Sequence, residues 1–468
     1  MTLLSTVLLA GGFNLTDPNV QIIGFSLIII LSYIYNIISN KTNIPSVLLL
    51  IFTGILLRFG FESMGIAEIQ SLGALKILGT VGLIMIVLEA ALDLQIDRDK
   101  LGLIRKATAV AILGLFMATG AIAGLMVLMI PGMNWIAGLV YATPLAIMSS
   151  AIIIPSVGGL LEHKKEFMIY ESTISDIAGI MLFYFLLGFY GPDASAVGTA
   201  SAEFAGRLIV TILVSVAGSY LLIFVFQNIN AHVKMFLLIA ILLLIYATGK
   251  MLHLSPLLFP FIFGIILTNN KTFFPGKMAE YIQPKKLQAI EDEFYLITIE
   301  TAFVLRTFFF VIFGLSIDLA ALANPSVIIV SAAILISLYV VRFILLRIFV
   351  GKDMMPELWI AARGLITVLL FYSLPDRMKS DPTIMGILLF VILGTSLIMT
   401  GGLIAGGSKP TTLSDLEHDD VGLGLRDEHR NDGPISPAQT HLPSSDLDAP
   451  DVSELPSSDP TLGDLASE

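Results

Sequence analysis

The chain contains 468 residues, of which 56% are hydrophobic and 13% are charged; it has no cysteine, and its formal net charge is −11. A soluble domain carries roughly 25% charged residues, so with a mean hydropathy of +0.89 this chain cannot form an ordinary water-facing surface. The composition therefore excludes a soluble enzyme, a nucleic-acid-binding protein, a fibrous protein and a secreted scaffold held by disulfides.

The N-terminal segment is expected to lie outside the bilayer core. Met1–Gly12 is apolar, but it is too short to span a membrane and lacks the positively charged region that begins a signal peptide. We therefore assign residues 1–19 to an extracellular or periplasmic segment that rests at the membrane interface.

Apolar runs of roughly 17–25 residues then recur as far as about Ala405, and each is long enough as a helix to cross a hydrocarbon core of ~30 Å. Strands of a membrane barrel would alternate apolar and polar residues, and these runs do not. Thirteen runs are present, at residues 20–38, 43–60, 71–93, 104–130, 135–160, 167–190, 205–227, 232–250, 254–269, 294–318, 325–349, 355–374 and 383–405. The sequence therefore predicts an all-α, multi-pass membrane protein with about 13 transmembrane helices.

The distribution of lysine and arginine predicts the orientation of the chain. If the N-terminus is outside, the inner loops carry fifteen of these residues and the outer loops carry five. We therefore expect an outside N-terminus, a cytoplasmic C-terminal tail and a location in the cell (inner or plasma) membrane.

Three short strings recur in order at a nearly constant spacing, which indicates an internal repeat. Residues 135–137 (Trp-Ile-Ala) recur at 359–361, residues 88–93 resemble 313–318, and residues 50–56 resemble 260–266.

The repeat divides a membrane domain, residues 20–407, into three parts: repeat 1 (about 20–190), a connector helix (about 205–227) and repeat 2 (about 232–405). Six helices are an even number, so a single connector brings the second repeat in from the opposite face of the membrane. Two inverted six-helix repeats with discontinuous, crossing helices at the bilayer midplane are typical of secondary transporters.

The tail, residues 408–468, carries all of the net charge. It holds three basic and 14 acidic residues, whereas residues 1–407 hold 23 of each. It is rich in proline, serine and aspartate and has no aromatic residue, so it cannot bury a core. The sequence predicts a disordered, acidic cytoplasmic tail.

Several charged residues fall inside the apolar runs, and a charge within a spanning helix is expensive enough to suggest a function. They are Glu89, Glu171, Asp176, Glu300, Arg306, Arg342 and Arg363. Glu89 precedes small residues that would let a neighbouring helix approach. Arg306 needs a carboxylate partner, either Glu300 or the pair Glu171 and Asp176, whereas Arg342 is expected to be interfacial or structural.

The apolar run at 167–190 contains the strongest candidate for an ion site. Ser172 and Asp176 are four residues apart and share a helical face, with Glu171 and Ser175 beside them. A carboxylate flanked by hydroxyls supplies the several oxygen ligands that a hard monovalent cation requires. The alternative for Glu171 is that it caps the helix near its cytoplasmic end.

Two further places combine polar or charged residues with a break in the helix. Ser149 and Ser150 precede Pro155, and a proline there frees backbone carbonyls that can line a cavity or bind an ion; the alternative is a simple kink. Arg363 is followed by glycine and is the expected counter-ion of Glu171, the alternative being an arginine that snorkels to the interface.

The sequence has no P-loop, no Gly-x-Gly-x-x-Gly after a strand and no histidines at a metal-binding spacing. We therefore expect neither an enzyme nor a cofactor, and no nucleic-acid partner.

Four strings of this chain carry a family resemblance. They are Glu-Ser-Thr-Ile-Ser-Asp at 171–176 with Tyr170 before it, Ser-Ser-Ala-Ile at 149–152, the string 309–318, and Arg363-Gly364 followed by Leu374-Pro375. Together, over nearly all of residues 20–405, they resemble strings of the monovalent cation:proton antiporter superfamily, the bacterial sodium/proton exchangers. In that family the first string reads Gly-Glu-Ser-x-x-Asn-Asp, so Tyr170 stands in place of the leading glycine.

The resemblance implies a homodimer in the lipid bilayer that exchanges a monovalent cation for H⁺ by an elevator movement of a core bundle, and so regulates pH and cation content. It implies that Asp176 carries Na⁺ and the proton in turn. Ser172, Glu89 and backbone oxygens of the break at Ser149 and Ser150 would complete the Na⁺ shell. Glu171 with Arg363 would brace the crossed helices.

Two questions stay open at this point. Ser175 stands where electroneutral members usually have Asn and electrogenic members Asp; it adds no second carboxylate, which favours one-for-one exchange unless Glu89 supplies one. Na⁺ is the expected cation, with Li⁺ and K⁺ as the others. The alternatives are a K⁺/H⁺ antiporter or K⁺ efflux system, and an ion channel, although the carbonyl-lined Gly-Tyr-Gly string of a channel filter is absent from the sequence.

Overall fold

The computed structural model describes residues 17–42, 44–63, 72–96, 98–189, 197–229, 234–252, 254, 256–275, 282–316, 324–375, 378 and 382–406. Within these ranges the regular structure is helical and there is no β-strand, so the all-α fold is confirmed. Most of the N-terminal segment expected at 1–19 and the whole of the tail expected at 408–468 lie outside the described residues.

The first half of the chain contains eight helices. They are α1 (Pro18–Thr42), α2 (Ser46–Ser63), α3 (Leu72–Asp93), α4 (Leu101–Met129), α5 (Trp135–Ala146), α6 (Ser150–Ser156), α7 (Glu162–Gly188) and α8 (Val197–Phe226). The second half continues with α9 (Lys234–Met251), α10 (Leu258–Thr268), α11 (Asn270–Phe273), α12 (Pro284–Ser316), α13 (Pro325–Phe349), α14 (Leu365–Tyr372) and α15 (Pro382–Ala405).

Ten helices of the described chain are long and apolar enough to cross a membrane, with α5 and α6 counted as one. Each of the thirteen apolar runs contains at least one helix, but thirteen full spans are not confirmed. The run at 355–374 is the clearest departure, because only the eight residues of α14 are helical and the residues before it form a turn and a stretch without regular structure.

The helices pack as two groups. The core bundle consists of α4–α7 and α13–α15: α4 packs on α5, α7 and α13, and α13 packs on α15. The scaffold bundle consists of α1–α3 and α8–α12: α12 packs on α2 and α3, and α10 packs on α3 and α8. A separate cluster of buried apolar side chains fills the space between α3, α8, α9, α10 and α12.

Two close helix crossings in the scaffold bundle agree with an inverted repeat. A Cβ atom added to Gly54 of α2 would lie 2.7 Å from Cα of Gly314 in α12, and one added to Gly264 of α10 would lie 2.7 Å from Cβ of Ala91 in α3. The second helix of each repeat therefore crosses the third helix of the other repeat at a small residue. The repeated Trp-Ile-Ala strings differ in local structure, because Trp135 begins α5 whereas Trp359 lies in a turn.

Gly54→Ala is expected to lower the thermal stability of the protein. An alanine Cβ at this position would lie 2.2 Å from the carbonyl oxygen of Val311, so α2 and α12 must separate, at a cost of about 1–3 kcal/mol. The measurement is the unfolding temperature of the purified protein in detergent. Gly60→Ala in the same helix is the matched control, because nothing lies within 4 Å of its added Cβ; equal unfolding temperatures for the two variants would contradict the tight crossing.

Candidate functional site

The discontinuous helices that the sequence predicts cross each other in the core bundle. Helix α5 ends at Ala146, and Ile147 and Ser149 are extended, with ψ angles of 131° and 107°. A second non-helical stretch, residues 360–364, precedes α14. The two stretches are joined by a backbone hydrogen bond in which Ser149 N–H donates to the carbonyl oxygen of Ala362 at 2.9 Å. We refer to this place as the crossing.

Helix α7 presents two adjacent polar side chains to the crossing. Asp176 Oδ2 accepts a hydrogen bond from Ser150 N–H at 3.0 Å, and Ser175 Oγ accepts one from Met148 N–H at 3.1 Å. Breaking the helix frees these amides, and the two side chains satisfy them, as buried backbone donors require. The structure thus brings Asp176, Ser175, Ser149 and Ser150 together, as expected.

The crossing contains buried oxygen atoms without a hydrogen-bond partner. Asp176 is only 2% exposed, and both its Oδ1 atom and the hydroxyl of Ser149 are unpartnered. Leaving a buried polar atom unsatisfied costs about 1–3 kcal/mol, and more for a charged group. Unpaired carboxylate and hydroxyl oxygens are also the ligands that hard cations prefer.

Ser172 lies one turn before Asp176 on α7. Its hydroxyl donates to the carbonyl oxygen of Met168 at 2.8 Å within the same helix, and its oxygen keeps lone pairs that can accept or coordinate. The hydroxyl therefore remains compatible with the ligand role that the family resemblance implies, and that role stays a prediction.

The prediction that Arg363 is the counter-ion of Glu171 is wrong. Glu171 is buried and its carboxylate pairs with Arg342 of α13, with Nη1–Oε1 and Nη2–Oε2 distances of 2.6 and 3.1 Å. Arg342 also donates from Nε and Nη2 to the carbonyl oxygen of Glu357, at 3.0 and 2.8 Å. Arg342 is thus a central buried residue of the core bundle and not an interfacial one.

Arg363 instead holds the end of α5. Its Nε donates to the carbonyl oxygen of Leu145 at 2.8 Å and its Nη2 to that of Ala146 at 3.3 Å, while Nη1 binds the carbonyl of Ala361. The last carbonyls of a helix lack intrahelical donors and carry a partial negative charge. A guanidinium at this end satisfies them, so Arg363 braces the crossing through backbone oxygens and not through Glu171.

Glu89 lies in an ion pair at the boundary between the two bundles. Arg306 Nη2 lies 2.8 Å from Glu89 Oε2, and Arg306 Nη1 donates to the carbonyl oxygen of Ala151 in α6 at 3.0 Å. Glu300, the other expected partner of Arg306, is exposed. Glu89 was expected in the cation shell beside Asp176, but the structure directs its carboxylate to Arg306.

A cavity of about 130 Å³ leads to this ion pair. It lies between α1, α2, α3 and α12 of the scaffold bundle and α6 of the core bundle, and its lining includes Ser32, Asn36, Ser39, Ser46 and Ser156. The lining mixes these polar side chains with apolar ones such as Leu50, Ile152 and Phe303. Its lining also includes Pro45 just before α2, and Ser156 is the last residue of α6.

A second hydrogen bond joins the two bundles. The hydroxyl of Tyr170 in α7 donates to the carbonyl oxygen of Gln95, which follows α3. This is the residue that replaces the leading glycine of the family string, so the departure from the family pattern adds a contact between the bundles.

The family described as "Sodium/hydrogen exchanger, transmembrane" matches residues 26–405, whereas no curated protein sequence matches the chain. A solved structure of the sodium proton antiporter MjNhaP1 from Methanocaldococcus jannaschii at pH 8 is similar, with 17% identity, a TM-score of 0.59 and coverage of 82% of this chain and 100% of that one. An electron-microscopy structure of the same antiporter is 16% identical, with a TM-score of 0.59 and coverage of 89% and 100%. At these identities the likeness establishes the fold.

Proposed function

Because this chain belongs to the sodium/hydrogen exchanger family, its substrates are a monovalent cation and a proton, and we propose that it exchanges Na⁺ for H⁺ at Asp176. The observation that carries the proposal is the buried carboxylate at the crossing, which has one oxygen bound to Ser150 N–H and the other free. A cation in contact with that free oxygen and the unpartnered Ser149 hydroxyl would satisfy both.

The mechanism follows from competition for one negative charge. A bare carboxylate is costly to move through a low-dielectric environment, and either a proton or a cation removes that cost by neutralising Asp176. The two ligands exclude each other because they occupy the same carboxylate. Movement of the loaded site in one direction with the cation and in the other with the proton couples the two gradients, without any other source of energy.

The elevator movement belongs to this proposal. Its support is the separation of core and scaffold bundles, since the crossing and Asp176 lie wholly in the core bundle. A cavity lies between the bundles and reaches Glu89 and Arg306 at their boundary. Hydrogen bonds that span the bundles, from Arg306 to Ala151 and from Tyr170 to Gln95, would break and re-form as the core bundle moves.

We propose that the protein exchanges one proton for each cation. In the described part of the core bundle, the other buried carboxylates are paired, Glu171 with Arg342 and Glu357 with Lys164. Glu89 is paired with Arg306 at the scaffold boundary. Among the buried carboxylates described in the core bundle, Asp176 is therefore the one left to exchange a charge, and each cycle would replace one positive charge by another.

We also propose that the protein acts as a homodimer in the cell membrane, with its N-terminus outside and its tail cytoplasmic. The excess of lysine and arginine in the loops assigned to the inner side supports this orientation.

The test is cation-driven proton movement in proteoliposomes that contain a pH-sensitive dye. Acid-loaded vesicles should become alkaline inside when Na⁺ is added outside, with Li⁺ and K⁺ tested in parallel. One-for-one exchange predicts the same rate when the membrane potential is clamped at different values. A larger response to K⁺ than to Na⁺ would favour the K⁺/H⁺ antiporter, and a cation current without proton movement would contradict exchange altogether.

A further inference from the structure

A buried lysine lies beside the start of the non-helical stretch. Lys164 falls among the loop cations in the sequence, yet it belongs to the first turn of α7 and is only 5% exposed. Its Nζ atom lies 2.9 Å from Asp353 Oδ1 and 3.1 Å from Glu357 Oε2, and it donates to the carbonyl oxygens of Met355 at 2.7 Å and Asp353 at 3.2 Å. An ammonium group removed from water needs acceptors for its three protons, and this one has them.

All the acceptors of Lys164 lie in one short segment, residues 353–357. The same segment is held from the other side by Arg342, which donates twice to the carbonyl oxygen of Glu357. Glu357 is thus held through its side chain by Lys164 and through its backbone by Arg342. Two buried cations from different helices fix the point from which the chain enters the non-helical stretch.

That point is close along the chain to the ion site. Ala362, whose carbonyl accepts from Ser149 N–H, follows Glu357 by five residues. Asp176 follows Lys164 by twelve residues on the same helix, a rise of about 18 Å. Helix α7 therefore carries the ion-binding carboxylate at its middle and the anchor of the opposite stretch at its beginning.

We propose that Lys164 is a positioning residue for the cation site. By anchoring residues 353–357 to α7, it fixes the position of the Ala362 carbonyl, and through it of Ser149, relative to Asp176, and so sets the affinity for the cation. This inference rests on the proposed function of Asp176. If the two stretches of the crossing shift, the distances between its oxygen ligands increase and cation binding weakens. Asp176 would still be able to bind a proton.

The test is a variant that removes both charges of the buried pair, Lys164→Met with Glu357→Gln. Lys164→Met alone would leave a buried, unpaired carboxylate, which is strongly destabilising. The double variant is expected to raise the KM for Na⁺ about tenfold, equivalent to 1.4 kcal/mol of binding, with Vmax changed by less than about twofold, the pattern of lost ground-state binding.

Asp353→Asn is the matched control. The hydrogen bond from Lys164 lowers the pKa of the Asp353 carboxyl, so it is ionised throughout the pH range of the assay. However, its side chain is 78% exposed, and exposed ion pairs contribute little. We expect less than about a twofold change in the KM of this variant.

A second readout separates this inference from the proposed function. Cation binding to the purified protein in detergent raises its unfolding temperature by linkage, and the Na⁺ concentration for half of that rise should increase about tenfold in the double variant. A wild-type KM in the double variant overturns the inference, as does lower stability with an unchanged KM. If the double variant does not fold, the single variant Glu357→Gln is measured instead. A raised KM for Na⁺ in this variant supports the role of Lys164 and Glu357 as an anchor, and an unchanged KM overturns it. Absence of exchange in the wild-type protein would instead refute the proposed function.

Discussion

Asp176→Asn is expected to abolish cation-driven proton movement, with rates equal to those of vesicles without protein. The asparagine carbonyl oxygen can still accept from Ser150 N–H, so the crossing keeps the hydrogen bond that Asp176 Oδ2 makes at 3.0 Å. The amide, however, neither releases a proton at any working pH nor balances the charge of a cation. Loss of transport should therefore occur in a protein that is folded.

The measurement is dye-reported exchange in proteoliposomes, with the elution profile and unfolding temperature of the same preparation. Glu300→Gln is the matched control, because it makes the same chemical change at an exposed carboxylate of α12 and should leave the rate unchanged. Exchange by Asp176→Asn at the wild-type rate would mean that another group carries the proton.

Arg342→Met is expected to destabilise the protein by about 3–5 kcal/mol, because it leaves the buried Glu171 carboxylate without its partner. Glu171 is 1% exposed and Arg342 is 6% exposed, so water does not replace the lost ion pair. The carbonyl oxygen of Glu357 also loses two donors. Adding Glu171→Gln should recover part of the loss, because the remaining polar group carries no charge.

The measurement is the unfolding free energy, or the unfolding temperature, of the four proteins in a double-mutant cycle. The coupling energy between the two substitutions is expected at about 0.5–3 kcal/mol. The exposed pair Arg58 and Glu62, whose side chains are 34% and 52% exposed, provides the control cycle, with an expected coupling of about 0–1 kcal/mol. Equal coupling energies in the two cycles would show that the buried ion pair contributes no more to stability than the exposed one.

The sequence was sufficient for the fold class and for the residues that the structure brings together at the crossing. Long apolar runs leave only spanning helices as a solution, and a carboxylate such as Asp176 stands out within one of them. A break near Ser149 and Ser150 was also expected from the sequence, but the proline that suggested it, Pro155, lies inside α6 and follows the break. These are local signals, readable within a single helix. The ion-binding role of Asp176 remains a prediction.

The partners of the charged residues could not be predicted in the same way. Whether Glu171 meets Arg342 or Arg363 depends on how helices more than 150 residues apart in the chain cross each other. The sequence favours Arg363 because it adjoins a glycine, but in the structure its guanidinium binds the free carbonyl oxygens of α5. The sequence does not indicate that Lys164 is buried, because a lysine at the edge of an apolar run usually faces water at the membrane surface.

The hydrogen bond between Ser149 and Ala362 uses only main-chain atoms, which every residue except proline supplies at the donor position. Substitution at either position therefore changes the oxygens and methyl groups offered to an ion without removing the joint that holds the two stretches together. Because the joint is made by the main chain, substitutions that alter cation preference need not alter the stability of the crossing. The side chains around one carboxylate can then change while the same backbone arrangement persists.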